Sequence, residues 1–519
     1  MSTPSYPSSV SETTSIESKN TNHKKKQPNA NKKKPRPTVA PKAVPESFSQ
    51  KLGHTLADGL VKDPIRLREP LNLVDRLTFA NSSVARTTTT TTTTTVVKEE
   101  EIIVISQDPR ASTKSLVTEA PHARRPKSPR LAFNLDDFAA LTALEKLIEH
   151  YGRVSHMGIL DSSYTFFITE DRKAALYYKV KDKIAVVGGD PLCDPSLFPQ
   201  VLSEFEKYRK RSGWGIAFLG AGETFVEYVK KQKWTTMCFA VERVLNPMTN
   251  PVLHGNAGKS ITRISKNLMD PKKEGITLEA YTPRLGKNVK LQQQLVKVYE
   301  EWRDHRNGSK RPQAYITIYD PFALPELMTY IYSKDRNGVP HGFAALRILG
   351  ANKGYHLDPY VAAPGAPKGI TDLLLYGMMA LLDTAKISYL SLGYEPLDDL
   401  GDITGMPKLM AKLSRKIYRR IFQGLQVSGK KDYHDKFRPD EAQQSNLYLA
   451  FPPGIPSLRH MTAIVHVANI KLRLVAFPKP TMKPVAKNGK ESKDSVVSQD
   501  EKVSQSSSNH DSTRANSSE

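Results

Sequence analysis

The residues best suited to chemistry lie between Tyr355 and Phe451. An apolar strand pattern, Tyr355 to Tyr360, carries Asp358, and a Gly/Pro-rich turn, Ala363 to Gly369, follows it. A helical run from Ile370 to Ala385 and a second strand pattern, Ile387 to Gly393, come next. Strand, glycine-rich turn, helix and strand in that order open the donor slot of acyltransferase-type α/β domains. The turn leaves backbone N–H groups at a helix N-terminus, where a phosphate or a developing negative charge is favoured. Residues 408–438 then hold ten Lys and Arg against two acids, Asp432 and Asp435, and lead into Lys436 to Pro439. A face that is merely solvated mixes its signs. Clustered positive charge of this kind attracts nucleic-acid phosphates or an anionic lipid surface. The donor is therefore expected to be a polyanion.

The elements that must position these residues follow from periodicity. Residues 134–151 read as an amphipathic helix with Asn134 or Asp136 as N-cap. Strand patterns follow at His156–Leu160, Tyr164–Thr169, Ala174–Val180 and Ile184–Gly188. Leu197, Val201, Leu202, Phe205 and Tyr208 recur on one helical face. A strand at Gly215–Leu219, a helix at Thr224–Lys231 and a strand at Trp234–Val244 close a first α/β unit. A second unit opens near Leu253 with a basic helix carrying Lys259, Arg263 and Lys266. It continues through a strand at Thr277–Tyr281, a helix at Val289–Arg306, strands at His341–Leu349 and Gly354–Val361, and a last strand at Asn446–Phe451. Met461–Val475 is amphipathic and fits either the core or a membrane surface.

The chain has 519 residues and a formal charge of +23. Residues 1–130 and 481–519 are polar and repetitive, with lysine clusters at 24–26 and 32–34, a threonine run from Thr87 to Thr95 and a Ser-rich end. Such segments bury too little apolar area to offset chain entropy and are expected to be disordered. Domains are expected at 131–250 and 251–480. Both Cys193 and Cys238 sit in apolar patterns, so they give neither a disulfide framework nor a metal motif. No run approaches ~20 apolar residues, so a spanning helix is not expected. A cytoplasmic, peripherally membrane-associated protein is expected.

Two consecutive mixed units resemble the tandem acetyltransferase-like (GNAT-type) α/β fold. Acetyl-CoA enzymes cradle pyrophosphate with an Arg/Gln-x-x-Gly-x-Gly/Ala string, and no complete copy exists here. Gly365 to Gly369 occupies that place, but Pro367 removes one donor N–H.

Residues 132–455 resemble the C-terminal synthase domain of the aminoacyl-phosphatidylglycerol synthases, the multiple peptide resistance factor family. The matches run in order: Tyr177–Cys193, Gly258–Arg263, Asp358 with Pro367–Asp372, Leu392–Leu397, and Lys436–Pro439 with Tyr448. Val361 stands where the family has an arginine, and Asp440 follows Pro439 where it has a tryptophan. Among the family's members the resemblance extends to free-standing fungal ergosteryl-glycine synthases.

The resemblance implies transfer of an amino acid, glycine for the free-standing type, from aminoacyl-tRNA to the 3-hydroxyl of ergosterol. An aminoacyl ester is already activated, so neither metal nor cofactor is required beyond the tRNA co-substrate. Lys436 would face the ester carbonyl or terminal phosphate, and Asp358 would orient the amino group or accept a proton. Gly369, Lys368, Asp372 and Tyr448 would contact substrate. Lys259, Arg263, Lys266, Lys412, Arg415, Lys416, Arg419 and Arg420 would bind tRNA phosphates. His434 invites a general-base reading. The alternatives are aminoacylation of phosphatidylglycerol, an acyl-CoA-dependent N-acyltransferase, and a non-catalytic tRNA- or membrane-binding module.

Overall fold

The computed structural model describes residues 45–60, 73, 131–134, 137–255, 257–308, 319–422 and 428–470. The N-terminal lysine clusters, the threonine run, Asp136 and the Ser-rich end lie outside them. Residues 48–60 fall within the stretch expected to be disordered, yet they form a helix, α1 (Phe48–Leu60). Averaged over 130 polar residues, its stripe of Leu52, Leu56 and Leu60 at four-residue spacing is diluted; locally it suffices to bury one face.

The elements of the first half are β1 (Ala132–Phe133), α2 (Phe138–Tyr151), β2 (Thr165–Ile168), β3 (Ala175–Lys181), β4 (Ile184–Gly188), α3 (Phe198–Arg211), β5 (Gly215–Ala221), α4 (Glu223–Lys231) and β6 (Thr235–Leu245). Those of the second are α5 (Lys259–Met269), β7 (Thr277–Tyr281), α6 (Val289–Asn307), β8 (Met328–Lys334), β9 (Pro340–Leu349), β10 (Gly354–Ala362), α7 (Ile370–Thr384) and β11 (Leu390–Pro396). After them come β12 (Ile403–Thr404), α8 (Lys408–Phe422), α9 (Ser428–Asp435), β13 (Asn446–Phe451) and α10 (Leu458–Val467). β8 has no counterpart among the expected elements. Val154–Leu160 is a 3₁₀ helix, where a strand was expected over His156–Leu160. Its His156 ring explains why: Nδ1 accepts from the Arg153 amide at 2.9 Å and Nε2 donates to the Asp190 carbonyl at 2.9 Å. The buried ring thus curls the segment onto the turn after β4.

All described strands join one sheet in the order β1-β2-β3-β4-β5-β13-β6-β11-β10-β9-β8-β7, with β12 on β6. Each half repeats a plan: an antiparallel three-strand meander, then a crossover helix to a parallel strand. β2-β3-β4 leads through α3 to β5, and β8-β9-β10 leads through α7 to β11. This is the tandem acetyltransferase-like α/β arrangement. The last strands are then exchanged, since β6 pairs with β11 and β13 inserts between β5 and β6. Neither half therefore completes its sheet without a strand from the other.

The two parallel pairs differ. β4 and β5 stay paired over five residues, from Ile184 with Gly215 to Gly188 with Leu219. β10 and β11 pair only at Tyr355 with Leu390 and His356 with Ser391. Beyond that point both strands shift register against their other neighbours, β10 between Leu357 and Tyr360 and β11 between Ser391 and Tyr394. Bulges re-aim side chains and part strands. The sheet opens there, and Asp358 stands at the opening.

Helices cover the sheet and supply its core. α7 buries nearly every side chain from Ile370 to Leu382. α1 lies across it at small residues: a Cβ on Gly377 would meet Leu278 at 2.7 Å, with Leu56 and Leu52 next, and one on Gly53 would meet the Ala380 carbonyl at 2.5 Å. No described helix is long and apolar enough to cross a membrane.

Candidate active site

Where β10 and β11 part, a cavity of about 130 Å³ opens, lined by residues from both halves of the sheet. Met157 and Gly158 come from the 3₁₀ helix and Asp161 from its C-cap, Lys179 from β3 and Leu219 from β5. Tyr299 and Trp302 come from α6, Asp358 and Pro359 from β10, and Tyr394 from β11.

The charged groups are few and held. Lys179 Nζ donates to Asp161 Oδ2 at 2.6 Å and lies 4.2 Å above the Tyr164 ring. Asp161 Oδ1 accepts from the Ser163 amide at 2.9 Å and the Ser163 hydroxyl at 2.5 Å. Asp161 is therefore satisfied on both oxygens, while Lys179 has N–H bonds to offer a carbonyl oxygen in the cavity. The tyrosines are kept protonated: burial pushes Tyr299 and Tyr394 up to about 12 and Tyr164 higher. They can donate hydrogen bonds at neutral pH but cannot act as bases.

Beneath the opening, Arg347 of β9 is fully buried. Its Nη2 donates to the carbonyls of Arg153 at 3.4 Å and His156 at 3.3 Å. Burial pulls its pKa down to about 10, against the nearby Tyr177, Tyr319 and Asp358. The available sequence signal was an arginine inside an apolar strand, since arginine is almost never fully buried unless partnered.

Behind Asp358 runs a polar chain. The Tyr360 hydroxyl is 3.1 Å from His434 Nε2, and His434 Nδ1 is 2.7 Å from Glu395 Oε1. Arg243 Nε is 3.3 Å from Glu395 Oε2, and Arg243 Nη2 pairs with Asp435. With Nδ1 donating to the carboxylate, Nε2 is left to accept from Tyr360. His434 is fully buried, so it positions Tyr360 and does not reach solvent. Tyr360, Glu395 and Arg243 had no role in the sequence reading, although Glu395 lies within the Leu392–Leu397 motif.

The remaining expected residues divide into groups. Lys436 is exposed, 5.0 Å above the Tyr433 ring, and Tyr433 stacks on Tyr360 at 6.1 Å. Asp372 is buried in the first turn of α7 and adds, after burial itself, to the raised pKa of Tyr433. Asp372 and Lys436 thus meet at Tyr433, which stacks on Tyr360, and the Asp358 charge adds, after burial itself, to the raised pKa of Tyr360. Gly369 is the N-cap of α7 at φ +96°, where a Cβ would meet Ile264 of α5 at 2.4 Å. Its conformation is set by that close approach; Lys368 beside it is exposed. Tyr448 lies elsewhere, in the core of the first half, with Lys230 5.6 Å from its ring.

Lys259, Arg263 and Lys266 line one groove of about 510 Å³ between α1 and α5, with Asn267, Phe48 and Tyr376. On α8, Lys412, Lys416, Arg419 and Arg420 are exposed. Arg415 instead turns inward, donating to the carbonyls of Leu400 at 3.0 Å and Gly401 at 2.6 Å. Among the described residues no group of three or more His, Cys, Asp or Glu could hold a metal ion.

The family model described as "Phosphatidylglycerol lysyltransferase, C-terminal" matches residues 145–451, more than half of the chain. Among curated proteins, the lysylphosphatidylglycerol biosynthesis bifunctional protein LysX of Rhodococcus jostii is 22% identical over 259 residues, 49% of this chain and 22% of that one. The MprF-like domain protein Rv1619 of Mycobacterium tuberculosis is 24% identical over 232 residues, 44% of this chain and 47% of that one. The chain thus spans about a fifth and about half of these relatives. Among solved structures, L-PGS from Bacillus licheniformis superposes with a TM-score of 0.49 and 20% identity, over 64% of this chain and 96% of that one.

Proposed function

The chain belongs to the phosphatidylglycerol lysyltransferase C-terminal family, and from that premise we propose that it is a lipid aminoacyltransferase that takes its acyl group from aminoacyl-tRNA. The observation that carries the proposal is the cavity at the parting of β10 and β11. There Asp358 and Lys179 line one cavity together with protonated tyrosines drawn from both halves of the sheet.

The reaction is a transesterification. The lipid hydroxyl oxygen bonds to the aminoacyl carbonyl carbon, the bond to the tRNA ribose oxygen breaks, and the hydroxyl proton ends on that ribose oxygen. Asp358 would accept the proton and pass it on, or hold the α-ammonium group. Lys179 and the tyrosine hydroxyls would donate to the carbonyl oxygen as its charge grows. The Tyr360–His434–Glu395 chain would hold the wall that carries Asp358. Lys436 and the α7 N-terminus would meet the terminal phosphates, and the Lys259–Arg263–Lys266 groove a stretch of tRNA backbone.

The finer reading is transfer of glycine to the 3-hydroxyl of ergosterol. Both the glycine and the sterol rest on the resemblance to free-standing ergosteryl-glycine synthases. Phosphatidylglycerol is the alternative acceptor. The test supplies tRNA charged with one labelled amino acid at a time and vesicles containing either acceptor, followed by lipid extraction. Labelled glycyl-sterol supports the finer reading, and labelled phospholipid replaces it. Labelled CoA-dependent product, with none from tRNA, would overturn both.

A further inference from the structure

α8 shows an outer face unlike that of a solvated helix. Leu409, Leu413 and Ile417 recur every four residues and are exposed, Leu409 to 78%. Alongside runs a second four-residue stripe, Lys412, Lys416 and Arg420, also exposed. The helix holds no acidic residue. Its opposite side is anchored: Ala411 and Tyr418 are buried, the Tyr418 hydroxyl donates to the Phe239 and Leu397 carbonyls, and Arg415 grips the loop at Leu400 and Gly401. The exposed leucines are therefore held outward on a fixed helix. The segment leading into α8 meets another exposed apolar loop, because the Thr235 hydroxyl lies 2.9 Å from the Gly405 carbonyl and 2.8 Å from the Gly454 carbonyl. That second segment carries Ile455 and, at the start of α10, Leu458, exposed to 55% and 79%.

We infer that α8, with the 455–458 segment, is a membrane-docking surface for anionic bilayers. Charge complementarity selects the occupant. Lysine and arginine beside an apolar stripe match an interface that offers anionic headgroups and hydrocarbon together. A tRNA backbone rewards the cations but not three exposed aliphatic side chains, so this surface is assigned to lipid and not to tRNA. The inference extends the lipid-acceptor reading but stands on separate observations.

The test uses the full-length chain and vesicles of neutral phospholipid with and without anionic phospholipid, in the absence of charged tRNA. Leu413→Cys is labelled with a polarity-sensitive dye; Cys193 and Cys238 are buried and leave the new thiol as the accessible one. The dye emission is expected to shift to the blue on anionic vesicles. Lys412→Glu/Lys416→Glu is expected to lower vesicle partition by about thirtyfold or more, from a typical loss of about fivefold per basic residue removed from such a surface. Leu409→Ser/Ile417→Ser is expected to lower it while keeping the salt dependence. No blue shift, or unchanged partition in both double variants, overturns the inference. So does a shift produced by tRNA alone or by self-association without vesicles. Transfer to detergent-dispersed lipid is measured separately, so a failed reaction and a failed docking surface are told apart.

Discussion

Replacing Lys179 by methionine separates the cavity's structural from its chemical role. Methionine keeps most of the aliphatic stem, so the main loss is the cation 2.6 Å from Asp161. Breaking a buried ion pair by removing one partner costs about 3–5 kcal/mol, because the other charge stays buried. Here the Asp161 side chain is 6% exposed and that of Lys179 19%, and two bonds from Ser163 remain. The expected loss is therefore about 2 kcal/mol, read as a lower urea midpoint with unchanged slope. Lys179→Met/Asp161→Asn removes the stranded charge but keeps the Ser163 contacts, and should recover at least half of that stability. Turnover should not recover: without the lysine donor it should stay about a hundredfold low, as for a lost oxyanion contact. The assay pairs urea titration with transfer from charged tRNA to lipid. Full turnover in Lys179→Met, or turnover that returns with stability in the double variant, would refute the reasoning.

Other expectations follow from the same contacts. Burial pulls His156 down to about 3, so the folded state resists the proton that the unfolded chain accepts near 6.5. Its contribution is full above pH 6.5 and is lost as pH falls toward 3, at about 1.4 kcal/mol per unit; in His156→Gln the drop in urea midpoint between pH 7 and pH 5 should be smaller by about one proton's worth. Gly377→Leu should force α1 off α7 and cost about 1–3 kcal/mol, seen as earlier thermal unfolding and proteolysis within residues 48–60. Arg415→Ala should destabilise by about 1–3 kcal/mol through the stranded carbonyls of Leu400 and Gly401, whereas Lys416→Ala should leave stability unchanged. Substituting Arg263 by alanine should weaken tRNA binding and reduce the salt slope by about one.

The strand–turn–helix–strand core from Gly354 to Pro396 was legible because its periodicity is strong and its glycines mark the turn. The β10/β11 opening around Asp358 was legible in part, as one acid in an apolar strand. Its partners were not, because Asp161 and Lys179 come from the first half of the sheet, roughly 180 to 200 residues earlier in sequence, and Tyr299 and Tyr394 from a separate helix and strand, and no local spacing encodes that. The cationic helix was visible as composition, but burial distinguished Arg415, which braces a loop, from Lys412 and Lys416, which face outward. The α1 helix escaped because thirteen amphipathic residues were averaged with the polar sequence around them. His156 shows the reverse failure: an apolar-looking run became a 3₁₀ turn because a ring nitrogen found a backbone partner.

The most direct measurement of the central claim incubates purified full-length protein with tRNA bearing labelled glycine and with sterol- or phosphatidylglycerol-containing lipid, then extracts and resolves the lipids. An alkali-labile lipid ester is expected to appear with the wild type, to disappear when RNase is added first, and to be lost in a folded Asp358→Asn variant. Labelled ester formed at the wild-type rate by Asp358→Asn, or tRNA binding with no lipid ester from any amino acid, would contradict that claim.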